Sequence, residues 1–116
     1  MNKAFQKYQA QTTPHPLGLE VESAQGSYIF TTDGKAHLDF VAGVSACNLG
    51  HSHPEIVKAI KTQAEQYLHV MVYGEYVLKP ALEVSQKLAD LLPQPLEQTY
   101  LVNSGTEAID GSIKLA

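Results

Sequence analysis

The sequence predicts a mixed α/β fold, and three observations support this prediction. Residues 17–40 alternate apolar with polar side chains at a period of two, as half-covered β-strands do. Two later stretches, at 54–68 and 80–92, place an apolar residue at every third or fourth position, which is typical of amphipathic helices. Residues 98–102 are again β-like and lead into a further helical pattern. A small sheet, helices and a strand–helix unit in this order belong to the mixed α/β class.

Composition bounds the function before any motif is considered. The 116 residues are 44% hydrophobic and 17% charged, which is typical of a globular chain and not of a disordered one. The net charge is −4 and all eight basic residues are lysine, so the sequence lacks the clustered positive charge that nucleic-acid binding needs. No apolar run approaches the roughly 20 residues of a membrane helix, and the N-terminus lacks the apolar centre of a signal peptide. We therefore expect a soluble protein with neither a nucleic-acid nor a membrane partner.

Cys47 is the single cysteine of the sequence. An internal disulfide is therefore impossible, which suits a reducing compartment, and we expect the protein to be cytoplasmic. No neighbour that would lower its pKa is evident, so we expect Cys47 to be a small buried hydrophobe and not a nucleophile.

Residues 1–16 predict an N-terminal arm. A short helix would carry Phe5 and Tyr8, and the prolines at 14 and 16 would keep the following residues extended. Such an arm either lies on another surface or frays as a free tail, and the sequence leaves both possibilities open.

Residues 17–50 predict a small β-meander followed by a glycine-rich loop. The three antiparallel strands fall near 19–23, 28–32 and 36–40. Asp33-Gly34 lies between the last two strands and is a strong hairpin signal. The loop at 41–50 is built from small residues, which suits a close approach to a ligand or to another backbone.

Residues 51–97 predict two amphipathic helices that lead to a further domain. The first is expected to start with a capping box between Ser52 and Glu55 and to end near residue 68. The second is expected to start at Pro80 and to stop before Pro93, because proline is tolerated in the first turn of a helix and not in its interior.

His51 and His53 raise the question of a metal site. Two histidines two residues apart invite a zinc ion, but no third or fourth ligand stands at a suitable spacing in the sequence. Pro54 disfavours the helical region for the residue before it, so helix-start chemistry explains the run better. We therefore expect no metal site.

Residues 98–116 predict a strand, a turn and a helix, and this unit is a candidate anion site. Ser104-Gly-Thr106 forms the turn, and the free N–H groups and positive dipole end of the helix attract phosphate. Ser104 and Glu107 also match an ordinary capping box, which any helix can use. On these residues alone both interpretations stand. The helical pattern still runs at Ala116 without a capping residue, so we expect the chain to be the front portion of a larger protein.

Four motifs, taken in order, are similar to those of one enzyme family. They are Asp33-Gly-Lys with His37-Leu-Asp-Phe-Val-Ala-Gly43, Asn48-Leu-Gly-His-Ser-His-Pro54 before a helix, a leucine-rich helix, and Asn103-Ser-Gly-Thr-Glu-Ala108 with Ile113-Lys-Leu-Ala116. Each motif is weak alone, but their order is specific. From about residue 17 to residue 116, the chain resembles the N-terminal part of a class III pyridoxal-phosphate-dependent aminotransferase of the ornithine, acetylornithine and 4-aminobutyrate type.

The resemblance implies a fold and a cofactor. The fold is the N-terminal part of a PLP-dependent transferase of fold type I: an extended arm, a small antiparallel β-meander, two amphipathic helices, and the first strand and helix of the large domain. The cofactor is pyridoxal 5′-phosphate (PLP), whose phosphate would be held by Ser104, Gly105 and Thr106. Val44 and Ser45 correspond to a segment that borders the substrate pocket in this family.

The resemblance also implies a reaction and partners for the complete protein. PLP-dependent transamination moves an amino group from an amine or amino acid to a 2-oxo acid. The complete protein is expected to be a homodimer, with Val70–Tyr76 near the dimer interface. A PLP-dependent aminomutase, racemase or decarboxylase shares the same phosphate turn, and a non-catalytic phosphate-binding or interaction module is a third possibility.

The resemblance finally implies that this chain lacks catalytic residues. None of its lysines lies in the context of the family's Schiff-base lysine, which is expected downstream. The partner of the pyridine nitrogen is missing too, and so is any arginine that could bind a substrate carboxylate through two hydrogen bonds. We therefore expect the chain alone to be inactive. Ile109-Asp110 and Gly111 depart from the common family pattern, which weakens any assignment to a particular substrate.

Overall fold

A computed structural model of the chain describes residues 2–71 and 74–116. The chain divides into two compact units, Met1–Leu68 and His69–Ala116. The first unit contains α1 (Lys3–Tyr8), β1 (Val21–Gln25), β2 (Tyr28–Thr31), β3 (Ala36–Leu38), α2 (Ala42–Ser45) and α3 (Pro54–Gln66). The element α2 is a single turn with left-handed φ angles and not a regular α-helix. The second unit contains α4 (Lys79–Leu91) and α5 (Gly105–Leu115). The finer division of the sequence at residues 16, 50 and 97 stays a prediction.

The predicted β-meander is confirmed. The three strands pair antiparallel in the order β1-β2-β3, so β2 is central and its Tyr28 faces Gln25 on one side and Leu38 on the other. Gly26 and Gly34 lie in the two connections with φ angles of 56° and 79°, a left-handed region that glycine adopts without steric cost. Glycine therefore allows both turns of the meander.

Thr31 is the residue that the meander covers most completely, with 4% of its surface exposed. Its hydroxyl donates a hydrogen bond of 2.6 Å to Asp33 Oδ1, and Lys35 Nζ lies 2.6 Å from Asp33 Oδ2. These contacts fix the β2–β3 hairpin, which the Asp-Gly signal predicted.

The predicted amphipathic helices α3 and α4 are present, and each has a proline in its first turn. The capping box expected between Ser52 and Glu55 is wrong. The N-cap of α3 is His53, which has extended backbone angles and makes no side-chain cap hydrogen bond. Pro54 occupies the first helical position, which leaves Ser52 one residue too early to act as the cap.

The strand expected at 98–102 is not formed. These residues carry no β-pairing in the structure, although the helix that follows them begins where the sequence predicted. A strand becomes regular only when a neighbouring strand accepts and donates its backbone hydrogen bonds, and the described residues offer none at this position.

The apolar faces of the helices are uncovered in this chain. No apolar side chain among residues 2–71 and 74–116 is buried, and Ile60 of α3 and Ile113 of α5 are 63% and 71% exposed. Cys47 is only half-buried, short of the burial expected for it. Among the helices described, none is long and apolar enough to cross a membrane.

Candidate functional site

The start of α5 brings together the three residues predicted to hold a phosphate. Ser104 is the N-cap, and Gly105 and Thr106 are the first two helical residues. The Ser104 hydroxyl accepts the Glu107 N–H at 3.2 Å, and Glu107 Oε2 accepts the N–H groups of Asn103 and Ser104 at 2.8 and 3.1 Å. Ser104 and Glu107 therefore form a complete capping box, in which the side chain of each residue accepts the backbone N–H of the other.

The capping box does not exclude an anion site, because the two use different donors. The box occupies the N–H groups of Asn103, Ser104 and Glu107. Within the described part of the chain, the N–H groups of Gly105 and Thr106 have no hydrogen-bond partner. All three turn residues are exposed. Two free donors therefore remain at the positive end of the helix dipole, which is the arrangement that binds phosphate.

Contacts within the protein do not explain why residue 105 of this turn is glycine. A glycine in the middle of a helix costs about 0.5–1 kcal/mol relative to alanine, and at the first helical position, where Gly105 lies, the cost is smaller. Gly105 does not have a positive φ angle, and a Cβ built on it meets no described atom within 4 Å. Neither backbone conformation nor packing among the described residues requires glycine here. The absent side chain leaves open space beside the free N–H groups, which fits a bound phosphate.

Gly111 is a useful comparison within the same helix. A Cβ built on Gly111 would lie 3.8 and 3.9 Å from two ring carbons of Tyr100, which is ordinary van der Waals contact. Packing among the described residues therefore does not require glycine at position 111.

The predicted substrate-pocket residues lie on a left-handed turn in the other unit. Ala42, Gly43, Val44 and Ser45 have φ angles of 49°, 59°, 57° and 65°. Left-handed conformations cost L-residues roughly 1–2 kcal/mol each, and for the β-branched Val44 the conformation is a true outlier. Val44 is 86% exposed and Ser45 is also exposed. The loop predicted at 41–50 is thus a strained turn that presents two side chains outward.

A carboxylate and an imidazole join the two ends of this segment. Asp39 Oδ1 accepts the N–H groups of Val41 and Ala42 at 2.9 and 3.0 Å, and Asp39 Oδ2 lies 2.7 Å from His51 Nε2. The Asp39 and His51 side chains are only 7% and 17% exposed. Because an ionised carboxylate only accepts hydrogen bonds, His51 Nε2 carries the proton.

This pairing accounts for His51 without a metal. Among the described residues, no group of three or more His, Cys, Asp and Glu side chains is arranged to hold an ion. His51 hydrogen-bonds Asp39 and makes no joint site with His53, whose buried Nδ1 has no hydrogen-bond partner in the described part of the chain.

The backbone closes the same junction through two glycines. Gly26 and His51 exchange both backbone hydrogen bonds, at 3.0 and 2.8 Å, which joins the β1–β2 turn to the start of α3. Gly50 has a φ angle of 86°, and a Cβ built on it would lie 3.2–3.3 Å from three backbone atoms of Gly26. The backbone at Gly26 and the backbone at Gly50 can approach this closely only because Gly50 has no side chain.

The Asp39 hydrogen bonds predict a pH dependence of the turn. The hydrogen bond from His51, and next that from the Ala42 N–H, lower the pKa of Asp39 below its ordinary value of 3.8. Their stabilisation is fully present above about pH 4 and is lost as the pH falls through the lowered pKa. An NMR titration of the Asp39 carboxyl carbon should give a midpoint below 3.8, and the Ala42 amide signal should shift with the same midpoint.

Asp33 provides an internal reference for that titration. Hydrogen bonds from Lys35 and then Thr31 lower its pKa to about 2, and neither of these partners belongs to the 41–46 turn. An Ala42 signal that follows Asp33, or an Asp39 midpoint at or above 3.8, would contradict the prediction.

The Asp39–His51 pair and the left-handed turn were not predicted from the sequence. The two partners are twelve residues apart, Asp39 just after β3 and His51 three residues before α3, so no helical or strand periodicity links them. The available signal was an aspartate directly after a strand and a histidine directly after a glycine. From the sequence, Asp39 stood out only as part of a family-like motif, and His51 as part of another motif and as a rejected zinc ligand.

Comparisons with known proteins agree with this architecture. The family model for class-III aminotransferases matches residues 8–116. The chain is 40% identical over 100 residues to the acetylornithine aminotransferase of Methanocaldococcus jannaschii. This match covers 86% of the chain and 24% of that relative. It is 38% identical over 101 residues to the glutamate-1-semialdehyde 2,1-aminomutase of Methanopyrus kandleri. This match covers 87% of the chain and 22% of that relative.

A solved structure shows the same fold. The adenosylmethionine-8-amino-7-oxononanoate aminotransferase of Methanocaldococcus jannaschii superposes with a TM-score of 0.88 at 28% identity, over 97% of this chain and 27% of that one. The fold is therefore that of the N-terminal part of a PLP-dependent transferase of fold type I. The chain belongs to the class III aminotransferase family. It spans about a quarter of the length of the curated relatives it matches.

Proposed function

We propose that the protein carrying this chain catalyses PLP-dependent transamination, in which an amino group passes from an amine or amino acid to a 2-oxo acid. Membership of the class III aminotransferase family supports this proposal, as do relatives that bear the names of acetylornithine and 4-aminobutyrate aminotransferases. Within the structure, the observation that carries the proposal is the start of α5, where Gly105 leaves space beside two free N–H donors.

The Ser104–Thr106 turn is the proposed phosphate site. The N–H groups of Gly105 and Thr106, together with the Ser104 and Thr106 hydroxyls, would donate hydrogen bonds to phosphate oxygens, and the helix dipole would favour their negative charge. The Ser104 hydroxyl can donate to phosphate while it accepts the Glu107 N–H. Ser104 and Glu107 hold the first turn of α5 in place through the capping box. When bound, PLP supplies the electron sink that transamination requires. The chain's own contribution is to bind and orient the phosphate.

The left-handed turn is the proposed border of the substrate pocket. Val44 would offer an apolar surface to the substrate side chain, and Ser45 would offer a hydroxyl that donates or accepts a hydrogen bond. Their exposure in this chain supports the assignment, because a side chain must be accessible to touch a substrate.

The chain on its own is proposed to be inactive, with the lysine that reacts with PLP lying outside these residues. Three of its eight lysines are engaged by carboxylates: Lys35 by Asp33, Lys79 by Glu83 and Lys114 by Asp110. Mixing the chain with PLP and borohydride should leave no single lysine stoichiometrically modified, as judged by mass spectrometry of tryptic peptides. One lysine modified to completion would contradict the proposal.

The complete protein gives the direct test of the reaction. Purified with PLP, it should convert 2-oxoglutarate to glutamate when an ω-amino donor such as N-acetylornithine or 4-aminobutyrate is added. Production of glutamate supports transamination. A protein that binds PLP but forms no amino acid from any 2-oxo acid would overturn it.

An aminomutase is the second candidate, because the Methanopyrus kandleri relative bears that name. An aminomutase moves the amino group within one substrate and needs no external acceptor. Conversion of a single amino substrate to its isomer, with no dependence on added 2-oxo acid, would favour this candidate. Racemase and decarboxylase activities are separated in the same assay by product chirality and released carbon dioxide.

The non-enzymatic alternative is a phosphate-binding or interaction module. The uncovered apolar faces of α3 and α5 support the enzyme instead, because a free module would expose them to water. A monomeric 116-residue chain that melts cooperatively would favour the module.

We further propose a cytoplasmic homodimer. The Val70–Tyr76 segment, expected near the dimer interface, includes residues 72 and 73, which lie outside the described residues. Sedimentation of the complete protein tests the dimer directly.

A further inference from the structure

The segment between Asp39 and His51 is held at both ends by one carboxylate. At its start, Asp39 Oδ1 accepts the N–H groups of Val41 and Ala42, which are the residues that lead into the left-handed turn. At its end, Asp39 Oδ2 bonds to His51. A single side chain therefore connects the entry of the turn to the residue that follows its exit.

Without such a constraint the left-handed conformation of the turn would be unfavourable. Ala42, Val44 and Ser45 are L-residues with positive φ angles, and consecutive left-handed residues are unfavourable unless the surroundings over-determine them. The hydrogen bonds internal to the segment, such as the Cys47 N–H to the Ala42 carbonyl at 2.9 Å, close the turn but do not orient it relative to the sheet.

The sheet supplies the orientation. The Asp39 N–H donates to the Ser27 carbonyl at 2.9 Å, and the backbone of His51 pairs with Gly26 in the same β1–β2 turn. Both partners of the Asp39–His51 pair are thus anchored to one rigid hairpin end. The strained turn projects from this anchor with Val44 86% exposed.

We propose that Asp39 and His51 are positioning residues, which hold the 42–45 turn in its left-handed conformation and so set where Val44 and Ser45 meet the substrate. This inference rests on the proposed function for the substrate contact, although the hold on the turn is independent of it. Neither residue touches the substrate. Each acts through the backbone of the turn.

The test compares two substitutions of Asp39 in the complete holoenzyme. Asp39→Ala removes every hydrogen bond of the side chain. Asp39→Asn keeps an oxygen for the Val41 and Ala42 N–H groups and offers its amide to the other tautomer of His51. The matched control is Asp33→Ala, which removes a carboxylate that is hydrogen-bonded in the same meander but not to the turn.

Three measurements decide the outcome. Crystal structures give the φ angles of residues 42–45, steady-state kinetics give KM for the amino donor, and equilibrium dialysis gives the Kd for PLP. In Asp39→Ala we expect the left-handed angles to be lost and the donor KM to rise about tenfold, since small misplacements of contact groups are costly. We expect the PLP Kd to change by less than about twofold, because the PLP phosphate is assigned to another segment. Asp39→Asn should restore both the angles and KM. Asp33→Ala removes hydrogen bonds of the β2–β3 hairpin only, so it should keep the wild-type φ angles at 42–45 and the wild-type KM.

Three results would overturn the proposal. They are an intact left-handed turn in Asp39→Ala, equal losses of donor and PLP affinity, and no rescue by Asp39→Asn. A wild-type protein without transamination would defeat the proposed function separately. In that case the φ angles alone would decide whether Asp39 holds the turn.

Discussion

Replacing Gly105 by alanine is expected to weaken PLP binding by the complete protein about tenfold or more while making α5 more stable. Alanine is favoured over glycine by about 0.5–1 kcal/mol in the middle of a helix and by less at the first helical position, where Gly105 lies, and the new Cβ meets no described atom within 4 Å. The free energy of unfolding of the PLP-free protein should therefore rise on this substitution. A tenfold loss of affinity corresponds to about 1.4 kcal/mol, which is a small cost for pushing a phosphate away from two N–H donors.

The opposite signs of the two effects make this substitution informative. Most substitutions that weaken a ligand also destabilise the fold, so a loss of binding alone is ambiguous. Here the helix should become more stable while the cofactor binds less tightly. Thermal unfolding without PLP gives the first quantity, and equilibrium dialysis of PLP gives the second.

Gly111→Ala is the matched control. It makes the same chemical change in the same helix, and its Cβ would reach only ordinary contact with the Tyr100 ring at 3.8 Å. We expect a larger gain in helix stability, because Gly111 lies inside the helix and Gly105 at its first position, with unchanged PLP affinity. If both variants weaken PLP equally, or if Gly105→Ala leaves the affinity intact, the phosphate site does not lie at Ser104–Thr106.

The start of α5 was predictable because its chemistry is local. Ser104 and Glu107 are three residues apart, and a capping box depends only on that spacing and on the helix that follows. The β-meander was predictable for the same reason, since an alternating pattern with glycines at the turns specifies a hairpin from neighbouring residues. The comparisons place these predicted elements in the family that the motifs resembled.

Two predictions of local secondary structure failed for contrasting physical reasons. The capping box at Ser52 was a local error, because the position of Pro54 moved the N-cap to His53. The strand at 98–102 failed because its regularity depends on a partner strand, which no local pattern supplies. The Asp39–His51 pair was missed on similar grounds: both residues are ordinary in their local context, and only the fold brings them within 2.7 Å.

Replacing Gly50 by alanine is expected to break the junction between the meander and α3. The new Cβ would lie 3.2–3.3 Å from backbone atoms of Gly26, and backbone cannot move aside as a flexible side chain can. Overpacking of this kind costs about 1–3 kcal/mol. The φ angle of 86° is also unfavourable for alanine, which adds about 1–2 kcal/mol.

Gly34→Ala separates the clash from the backbone strain. Gly34 has a comparable φ angle of 79°, but a Cβ built on it has no described atom within 4 Å. This variant should therefore lose only the conformational contribution, about 1–2 kcal/mol, and it should lose it at the β2–β3 hairpin. The difference between the two variants measures the Gly26–Gly50 contact.

Hydrogen exchange at the Gly26 and His51 amides provides the local measurement in the complete protein. These amides are protected by their mutual hydrogen bonds of 3.0 and 2.8 Å, so their exchange reports opening of this junction. In Gly50→Ala both should exchange at least about tenfold faster, whereas in Gly34→Ala they should keep the wild-type rate. Equal exchange in the two variants would mean that the junction tolerates the Cβ. Because the same junction anchors Asp39 and His51, faster exchange in Gly50→Ala should be accompanied by loss of the left-handed turn that carries Val44 and Ser45.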